Sequence, residues 1–319
     1  MRIATFNLEN FGRQGAAFEK RAAVLRPQLE RLKADILCLQ EVDATKVGAT
    51  RRPVDLKRLL EGTSYARHAL AISSGPSGEG PADVHNLVVM SRLPIIEEHT
   101  IRHSLVEPPQ FHRHSAVPRD LAASTLTWDR PLQHLLLALP SGRHLHLVNV
   151  HLRAPLAVAI PGQKTSPFAW KTVAGWAEGF FGAAVKRAGQ ALELRLAVER
   201  VFDAEPDASV AVCGDFNAED HDTALRLACA GEDDTGAGHL ASRVLTPVER
   251  TLPADRRFTV LHHGRPQMLD HILASRALFA HLTGVEIHNE MLEDELIAYG
   301  RIDHPPESLH APVVAMFDR

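Results

Sequence analysis

A carboxylate and an amide close one of the most apolar stretches of the sequence. In "VAVCGDFNAED", residues 210–220, the apolar run ends at Gly214 and is followed by Asp215, Phe216 and Asn217. Side chains alternate along an extended chain, so Asp215 and Asn217 should project to one side while Phe216 turns toward the core. An ordinary strand-to-loop turn also favours Asp and Asn, so this fragment alone leaves both interpretations open.

The same pattern closes three other apolar runs. Asn7 ends "RIATFN", Glu41 follows "ADILCLQ", and His151 ends "HLHLVNVH". If these strand ends share one rim, their side chains converge on a metal site and its catalytic groups. Carboxylate and amide oxygens are hard ligands, which favours Mg²⁺ or Mn²⁺ over zinc.

Two further segments place histidines next to apolar runs. In "MLDHILA", Asp270 and His271 must point to opposite faces of a strand, so one of them can belong to the site and the other is structural. His310 precedes the strand-like "APVVAMF". It is either a core-edge histidine held by a hydrogen bond or a member of the site, and only partners elsewhere in the chain can decide.

Short strands must position these residues. Apolar runs of strand length recur throughout the chain, and several are separated only by a turn such as "LPSGRH", which predicts mixed sheets. Helical periodicity appears at residues 16–33 and 168–203. The predicted strands are "RIATFN", "ADILCLQ", "NLVVMS", "LAASTLTW", "HLLLAL", "HLHLVNVHL", "SVAVCGD", "MLDHILA" and "APVVAMF".

An irregular, proline-bearing segment follows His151 and leads into the longer helical pattern. We interpret residues 153–203 as a loop-plus-helix insert. Trp176 and Phe180 lie off its main apolar stripe and could cover a substrate or touch a lipid surface. The stripe, which we expect to lie mostly in the core, comprises Trp170, Val173, Ala177, Phe181, Ala184, Ala188 and Leu192.

Composition bounds the class of protein. The chain has 319 residues, 45% of them apolar, and a net charge of −4, so no global positive field indicates binding to nucleic acid or an anionic membrane. Its three cysteines show no metal-type spacing and suit a reducing compartment. No window approaches 18 consecutive apolar residues, and we expect a cytoplasmic protein.

Six motifs in order carry a resemblance to a known family. "RIATFNLENF", "LQEVD", "VMSRLP", "VNVHL", "GDFNA" and "LDHIL" resemble the successive motifs of the endonuclease/exonuclease/phosphatase family, the fold of pancreatic deoxyribonuclease and the abasic-site endonucleases. The resemblance implies an α/β (α+β) fold, a four-layer sandwich of two packed mixed β-sheets flanked by helices. It also implies one domain over residues 1–319 and metal-dependent attack of water on a phosphate ester.

Residue roles follow from the same resemblance. Glu41 would be the main metal ligand with Asn7 beside it, and Asp215 would orient or deprotonate the attacking water. Asn217 and His151 would hold the phosphoryl oxygens. Arg153 and Arg92 could contact phosphate, although solvated surface arginines are more common.

The family's last motif is Ser-Asp-His followed one residue later by Pro. "SLHAP" matches it with His310 as the histidine and Asp270 as its orienting carboxylate, but Leu309 stands where the family has aspartate. A competing alignment uses Asp303 and His304 ahead of Pro306, and it leaves the last strand starting too late. Asp303 could also fold back to supply the missing charge.

The resulting expectation is a hydrolase that uses Mg²⁺ or Mn²⁺ on phosphate esters. A phosphodiesterase, nuclease-like or acting on a lipid or small molecule, is preferred over a phosphomonoesterase. The alternative from another class is a weakened member that binds a phosphate-bearing ligand without turning it over, which Leu309 suggests. Fold alone cannot name the substrate.

Overall fold

The computed structural model describes residues 1–12, 15–302 and 305–318. The strands in chain order are β1 (Arg2–Phe11), β2 (Ile36–Val42), β3 (Thr45–Val47), β4 (Thr50–Arg52), β5 (Ala69–Ile72), β6 (Asn86–Ser91), β7 (Ile95–Ile101), β8 (Gln110–Phe111), β9 (Ser124–Thr125), β10 (Leu132–Ala138), β11 (His144–His151), β12 (Lys164–Ser166), β13 (Ala169–Trp170), β14 (Ser209–Asp215), β15 (Leu245–Pro247), β16 (Val260–His262), β17 (Arg265–Gln267), β18 (Asp270–Ser275), β19 (Leu282–Ile287) and β20 (Val313–Phe317). The α-helices are α1 (Phe18–Leu32), α2 (Val54–Leu60), α3 (Val173–Ala204), α4 (Thr223–Cys229), α5 (Glu232–Thr235), α6 (Arg276–Phe279) and α7 (Glu295–Arg301). Short 3₁₀ helices cover Gly15–Ala17, Ser64–Arg67, Gly238–Arg243, Val248–Thr251 and Ala254–Arg256.

Most strands belong to two six-stranded mixed sheets. The first sheet has the order β19-β20-β1-β2-β6-β5, and the second has the order β15-β18-β14-β11-β10-β7. Each sheet contains one parallel pair at its centre, β1 with β2 and β11 with β14, among antiparallel neighbours. The predicted mixed sheets are therefore confirmed.

The sheets pack face to face, and helices cover their outer faces. Ile36 and Cys38 of the first sheet share a core with Leu147 and Ala211 of the second. The outer face of the first sheet packs on α1 and α2, and the outer face of the second packs on α3 and α4. The predicted four-layer sandwich is confirmed, and its two-sided burial explains why the central strands are apolar without alternation.

Buried amides join the two sheets just below one edge. Gln40 of β2 donates through Nε2 to Oδ1 of Asn149 on β11, at 2.8 Å. Asn149 in turn donates to the carbonyl oxygens of Leu39 and Val88 in the first sheet. Buried amides that find all their partners in this way fix the relative position of two sheets.

Two element predictions need correction. "LAASTLTW" is mostly irregular, because only Ser124 and Thr125 pair with a neighbouring strand and Leu121 is fully exposed. The stripe of α3 is also not core in its first half, since Val173 is 80% exposed and Phe181 53% exposed. No helix within the described ranges is long and apolar enough to cross a bilayer.

Glycines explain why the other face of α3 is buried. A Cβ on Gly179 would lie 2.4 Å from the carbonyl oxygen of Val158 and 2.9 Å from the Trp170 ring, and a Cβ on Gly175 would lie 2.7 Å from Gln163. The segment that follows His151 therefore packs directly on the glycine face of the helix. This close approach leaves the aromatic face turned toward solvent.

Candidate active site at one edge of the sandwich

Strand register brings the predicted polar residues to one edge. His151 pairs with Asp215 across the parallel strands β11 and β14, and Asp215 pairs with Asp270 across β14 and β18. Asn7 pairs with Gln40, the neighbour of Glu41, in the first sheet. The carboxyl ends of both parallel pairs therefore meet at the same edge of the sandwich.

Asp215 is the central group of this edge. Its side chain is 1% exposed, and its Oδ2 accepts from Nδ2 of Asn7 at 3.0 Å, a bond that joins the two sheets. Nε2 of His151 lies 3.3 Å from the same oxygen. Asn217 donates to Asp215 through both its backbone N–H and its amide nitrogen, at 2.8 and 3.2 Å.

Charge keeps this buried carboxylate ionised. Burial raises the pKa of Asp215, but the nearby His151, through its charge and hydrogen bond, outweighs burial and holds the pKa below its usual range. The pKa of Glu41 is set in the same way. Burial raises it, but the charges of His151 and Arg130 lower it by more, so the net shift is downward. Both groups are therefore negative at neutral pH.

Glu41 lies on the other side of His151. Its Oε1 is 3.6 Å from Nε2 of His151, and its Oε2 accepts from the backbone N–H of Asn10 at 2.8 Å.

Phe216 is fully buried on the opposite side of its strand, as alternation predicts.

Backbone strain concentrates at this edge. Of the nine non-glycine residues with positive φ among those described, five lie here. They are Glu9, Asn10, Glu41, His85 and Asn217. Left-handed backbone at non-glycine residues costs energy and clusters at functional sites, which supports a functional role for the edge.

His310 and Asp270 form the second half of the site. Nδ1 of His310 lies 2.8 Å from Oδ2 of Asp270, which is completely buried. Burial lowers the pKa of His310, but the charge of Asp270 and its hydrogen bond reverse this and raise the pKa well above the ordinary value. The hydroxyl of Ser308 donates to the carbonyl oxygen of Asn7 at 2.6 Å and fixes this turn on β1.

Leu309 faces the core, and a different residue brings a carboxylate to its position. Leu309 is 0% exposed. Its backbone N–H donates to Oε2 of Glu9 at 2.9 Å, and the hydroxyl of Tyr299 donates to the other oxygen of Glu9. Glu9 was missed by sequence analysis, although it stands two residues after Asn7 in "FNLEN". The competing residues Asp303 and His304 lie outside the described residues.

Arg130 and His85 were also missed. Arg130 donates to the carbonyl oxygen of Leu152 at 3.2 Å, and its charge is felt by both Glu41 and Asp215. Nδ1 of His85 lies 3.7 Å from Oε2 of Glu41, and burial lowers the pKa of His85 to about 4. His85 directly precedes β6, and Arg130 lies two residues before β10; each of these strands runs antiparallel to its neighbour and therefore starts at this edge.

Three other candidates lie away from the centre of the site. His271 is buried on the opposite face of β18 against Glu249, as expected for the structural member of its pair. Arg92 is exposed and pairs with Asp35 at the far end of β2. Arg153 pairs with Asp129 at 3.2 Å. Because Asp129 directly precedes Arg130 in sequence, Arg153 lies at the rim of the site.

The donor set fits a hard divalent cation. Asp215, Asp270 and His310 each offer a ligand atom within 4.8 Å of the other two. Oδ1 of Asp270 is buried without a hydrogen-bond partner among the described residues, a position that a cation or a donor group would satisfy. This group differs from the predicted ligands Asn7 and Glu41. The amide oxygen of Asn7 accepts from the N–H of Glu9 at 2.9 Å, while Glu41 keeps Oε1 toward His151.

Comparison with known proteins places this geometry in context. Residues 4–290 match the model of the Endonuclease/Exonuclease/phosphatase family. A truncated TDP2 from Caenorhabditis elegans is 15% identical with a TM-score of 0.56, and the match covers 99% of this chain and 96% of that one. An AP endonuclease from Archaeoglobus fulgidus is 17% identical with a TM-score of 0.55, and both chains are covered completely.

A third similar structure contains nucleic acid. The 3' phosphatase NExo from Neisseria, solved with a product DNA hairpin, is 17% identical with a TM-score of 0.52 and complete coverage of both chains. At these identities the structural likeness establishes the fold alone. A comparison with curated proteins gives no match.

Proposed function

Because the chain belongs to the endonuclease/exonuclease/phosphatase family, whose members are hydrolases of phosphate esters, we propose that it is a phosphodiesterase that requires Mg²⁺ or Mn²⁺. The observation that carries this proposal is the convergence of buried and half-buried polar side chains at one sheet edge. These are Asn7, Glu41, His151, Asp215, Asn217, Asp270 and His310.

In this proposal Asp215 orients and deprotonates the attacking water. Its buried position and its bonds to Asn7 and Asn217 hold the carboxylate in one orientation. A fixed carboxylate can direct a bound water molecule toward phosphorus along a single line of approach. His151 and Asn217 would donate to the phosphoryl oxygens, and Asn217 would do so by exchanging one of its amide bonds to Leu152 and Asp215. His310, kept protonated by Asp270, contributes positive charge where the transition state gains negative charge.

Arg130 is the additional cation of this site in our proposal. It lies beside Glu41 and Asp215 and is fixed by Leu152 and by Gln190, whose amide donates to its carbonyl oxygen at 3.0 Å. An arginine presents several donors in a fixed plane, which matches a phosphate group. The charges of Glu41 and Asp215 offset part of the burial that lowers the pKa of this guanidinium.

Family members generally use divalent metals, and here Glu41 and Asn7 would hold the ion, while Asp215, Asp270 and His310 keep the roles given above. When bound, the cation supplies positive charge that offsets charge on the phosphoryl group. The amide oxygen of Asn7 accepts one hydrogen bond, from the backbone N–H of Glu9, and keeps a second lone pair for a ligand. The mixture of carboxylates and amides supports Mg²⁺ or Mn²⁺ over zinc.

Hydrolysis of bis-p-nitrophenyl phosphate tests the proposal, with p-nitrophenyl phosphate as the monoester. We expect faster turnover of the diester, complete loss on chelation and recovery with Mg²⁺ or Mn²⁺. Glu41→Gln should need a much higher metal concentration, whereas Asp233→Asn, an exposed surface change, should behave as wild type. A diester rate that survives chelation, or an unchanged metal requirement in Glu41→Gln, would reject the assignment.

The alternative of binding without turnover depends on Leu309. It predicts that a phosphodiester binds but is not hydrolysed at any metal concentration. Binding would be measured by calorimetry or by competition with a tightly bound ligand. Glu9, which brings a carboxylate to the backbone of Leu309, is the observation that favours an active enzyme over this alternative.

We also propose that the protein works in a reducing compartment such as the cytoplasm, and as one domain with a loop-plus-helix insert. Cys38, Cys213 and Cys229 are all buried free thiols, which suits such a compartment. A single cooperative unfolding transition, followed by both fluorescence and circular dichroism, would support one domain.

A further inference from the structure

A second region of the molecule exposes large apolar side chains that are usually buried. Large apolar residues on the first half of α3, on the hairpin β12–β13 and on two nearby loops face solvent. We call this region the helix–hairpin surface. It comprises Val117, Leu121, Leu156, Phe168, Val173, Trp176, Phe180 and Phe181.

These residues belong to one packed unit. The N–H groups of His114 and Ser115 donate to the carboxylate of Glu178 on α3, at 2.5 and 2.8 Å. The ring of Phe111 lies 5.5 Å from the ring of Phe181, and Trp176 stacks on Phe180 at 5.4 Å. The loop, hairpin and helix therefore form a built surface.

Exposure on this surface is high for side chains of this size. Phe168, next to Pro167 at the tip of the hairpin, is 95% exposed, and Leu121 is 100% exposed. Every exposed Phe and Trp of the described chain belongs to this surface. Exposed apolar side chains that are grouped in one region mark sites of interaction.

The charge of the same region is opposite to that of the chain. Residues 153–187 contain five basic and one acidic residue, a net charge of +4, whereas the whole chain carries −4; Arg153 and Lys186 pair with Asp129, which lies outside this range. Lys164 and Lys171 flank the hairpin tip, and Lys164 lies over the Trp170 ring. The one acid, Glu178, is already bonded to the loop.

We propose that the helix–hairpin surface docks the protein on an anionic lipid bilayer. Aromatic and aliphatic side chains together with lysines are what a bilayer interface accepts, because apolar groups enter the acyl boundary and cations meet lipid phosphates. Single-stranded nucleic acid also pairs cations with aromatic rings. The fully exposed Leu121 and the exposed Val173 favour the bilayer, since aliphatic side chains offer bases no stacking surface.

Vesicle binding tests the proposal with the full chain. We expect sedimentation with vesicles of phosphatidylcholine mixed with phosphatidylserine, weaker binding to phosphatidylcholine alone, and further weakening at high salt. The double variant Phe168→Ser/Trp176→Ser should lose at least ~10-fold in vesicle affinity, since each side chain contributes buried apolar area. Lys164→Gln/Lys171→Gln should lose about 10-fold on anionic vesicles only.

Controls separate this proposal from folding and from the proposed activity. Ile96→Ser removes an exposed apolar side chain from β7 and should bind vesicles as wild type does. Phe168→Ser/Trp176→Ser should keep the wild-type melting temperature and the wild-type rate on a soluble diester. Asp215→Asn should bind vesicles normally. A chain that binds vesicles but hydrolyses no diester would leave docking intact and defeat only the proposed function.

Four results would overturn the proposal. Wild-type protein could fail to bind anionic vesicles, or the double variant could bind them as tightly as wild type. Alternatively, the wild-type protein could bind a single-stranded oligonucleotide but not vesicles, and the double variant could bind that oligonucleotide more weakly. This result would make the surface a nucleic-acid site. Self-association in analytical ultracentrifugation that the double variant abolishes, again without vesicle binding, would make it a contact between two copies.

Discussion

The sheet-edge site and the helix–hairpin surface depart from the ordinary distribution of side chains in opposite ways. At the edge, polar groups are buried and hydrogen-bonded: Asp215 accepts from Asn7, and Asp270 pairs with His310. On the other surface, apolar groups such as Phe168 and Val173 face solvent. A buried polar group or an exposed apolar patch is informative because folding alone disfavours both. Each region is therefore a candidate for a role other than stability.

The two regions also respond differently to substitution. Removing a partner at the edge leaves a buried charge without compensation, which affects both turnover and stability. Removing an exposed ring leaves the folded core unchanged and affects only what the ring contacts. The predictions below use this difference, from the largest expected effect to the smallest.

The largest effect is expected at His310. His310→Gln keeps a donor for Asp270 but loses the positive charge, so diester turnover should fall by about 10²–10⁴, the usual contribution of a positioned acid or base. His304→Ala should keep most activity. Steady-state kinetics on both variants decide between the two alignments of the last motif. A dead His304→Ala beside an active His310→Gln would reverse the assignment.

Leu309 tests whether the missing family aspartate can be restored. Leu309 is fully buried, so Leu309→Asp should place an unpaired carboxylate in the core and lower the unfolding free energy by about 3 kcal/mol or more. Leu309→Met, which conserves volume, is the control and should cost less than about 1.5 kcal/mol. Urea unfolding measures both. A stable and more active Leu309→Asp would show that position 309 reaches the metal site after all.

Gly179 tests the packing that exposes the aromatic face of α3. An added Cβ would meet the Val158 carbonyl oxygen at 2.4 Å, so Gly179→Ala should destabilise by about 1–3 kcal/mol despite the higher helix propensity of alanine. Gly300→Ala, which meets no atom within 4 Å, is the matched control and should be neutral or slightly stabilising. Equal melting temperatures for the two variants would mean that the segment after His151 does not pack closely on α3.

The convergence of polar side chains at the edge could be predicted from sequence because its signal is local. An apolar run that ends in a polar residue marks a strand and its end together, which located Asn7, Glu41, His151 and Asp215. Arg130 and His85 were missed because they precede their strands. A strand that runs antiparallel to its neighbour starts at the edge where the neighbour ends, so the residue before such a strand is equally a candidate.

The helix–hairpin surface was harder to predict because its signal is not local. Helical periodicity places Phe181 and Val173 on one apolar stripe, and such a stripe normally faces the core. The glycines of α3 reversed this, since the segment after His151 packs on them and covers the opposite face. Periodicity shows that a helix has two faces, but which one is buried depends on a partner far away in sequence.

Asp215→Asn tests the central claim most directly, because it changes one oxygen to nitrogen at the centre of the edge and leaves the helix–hairpin surface untouched. With saturating Mg²⁺ or Mn²⁺, turnover of bis-p-nitrophenyl phosphate should fall by about 10²–10⁴ relative to wild type and to Asp233→Asn, with a much smaller change in KM. Turnover within a few-fold of wild type would contradict the claim, and Asp215 would then be a structural residue that joins the two sheets through Asn7.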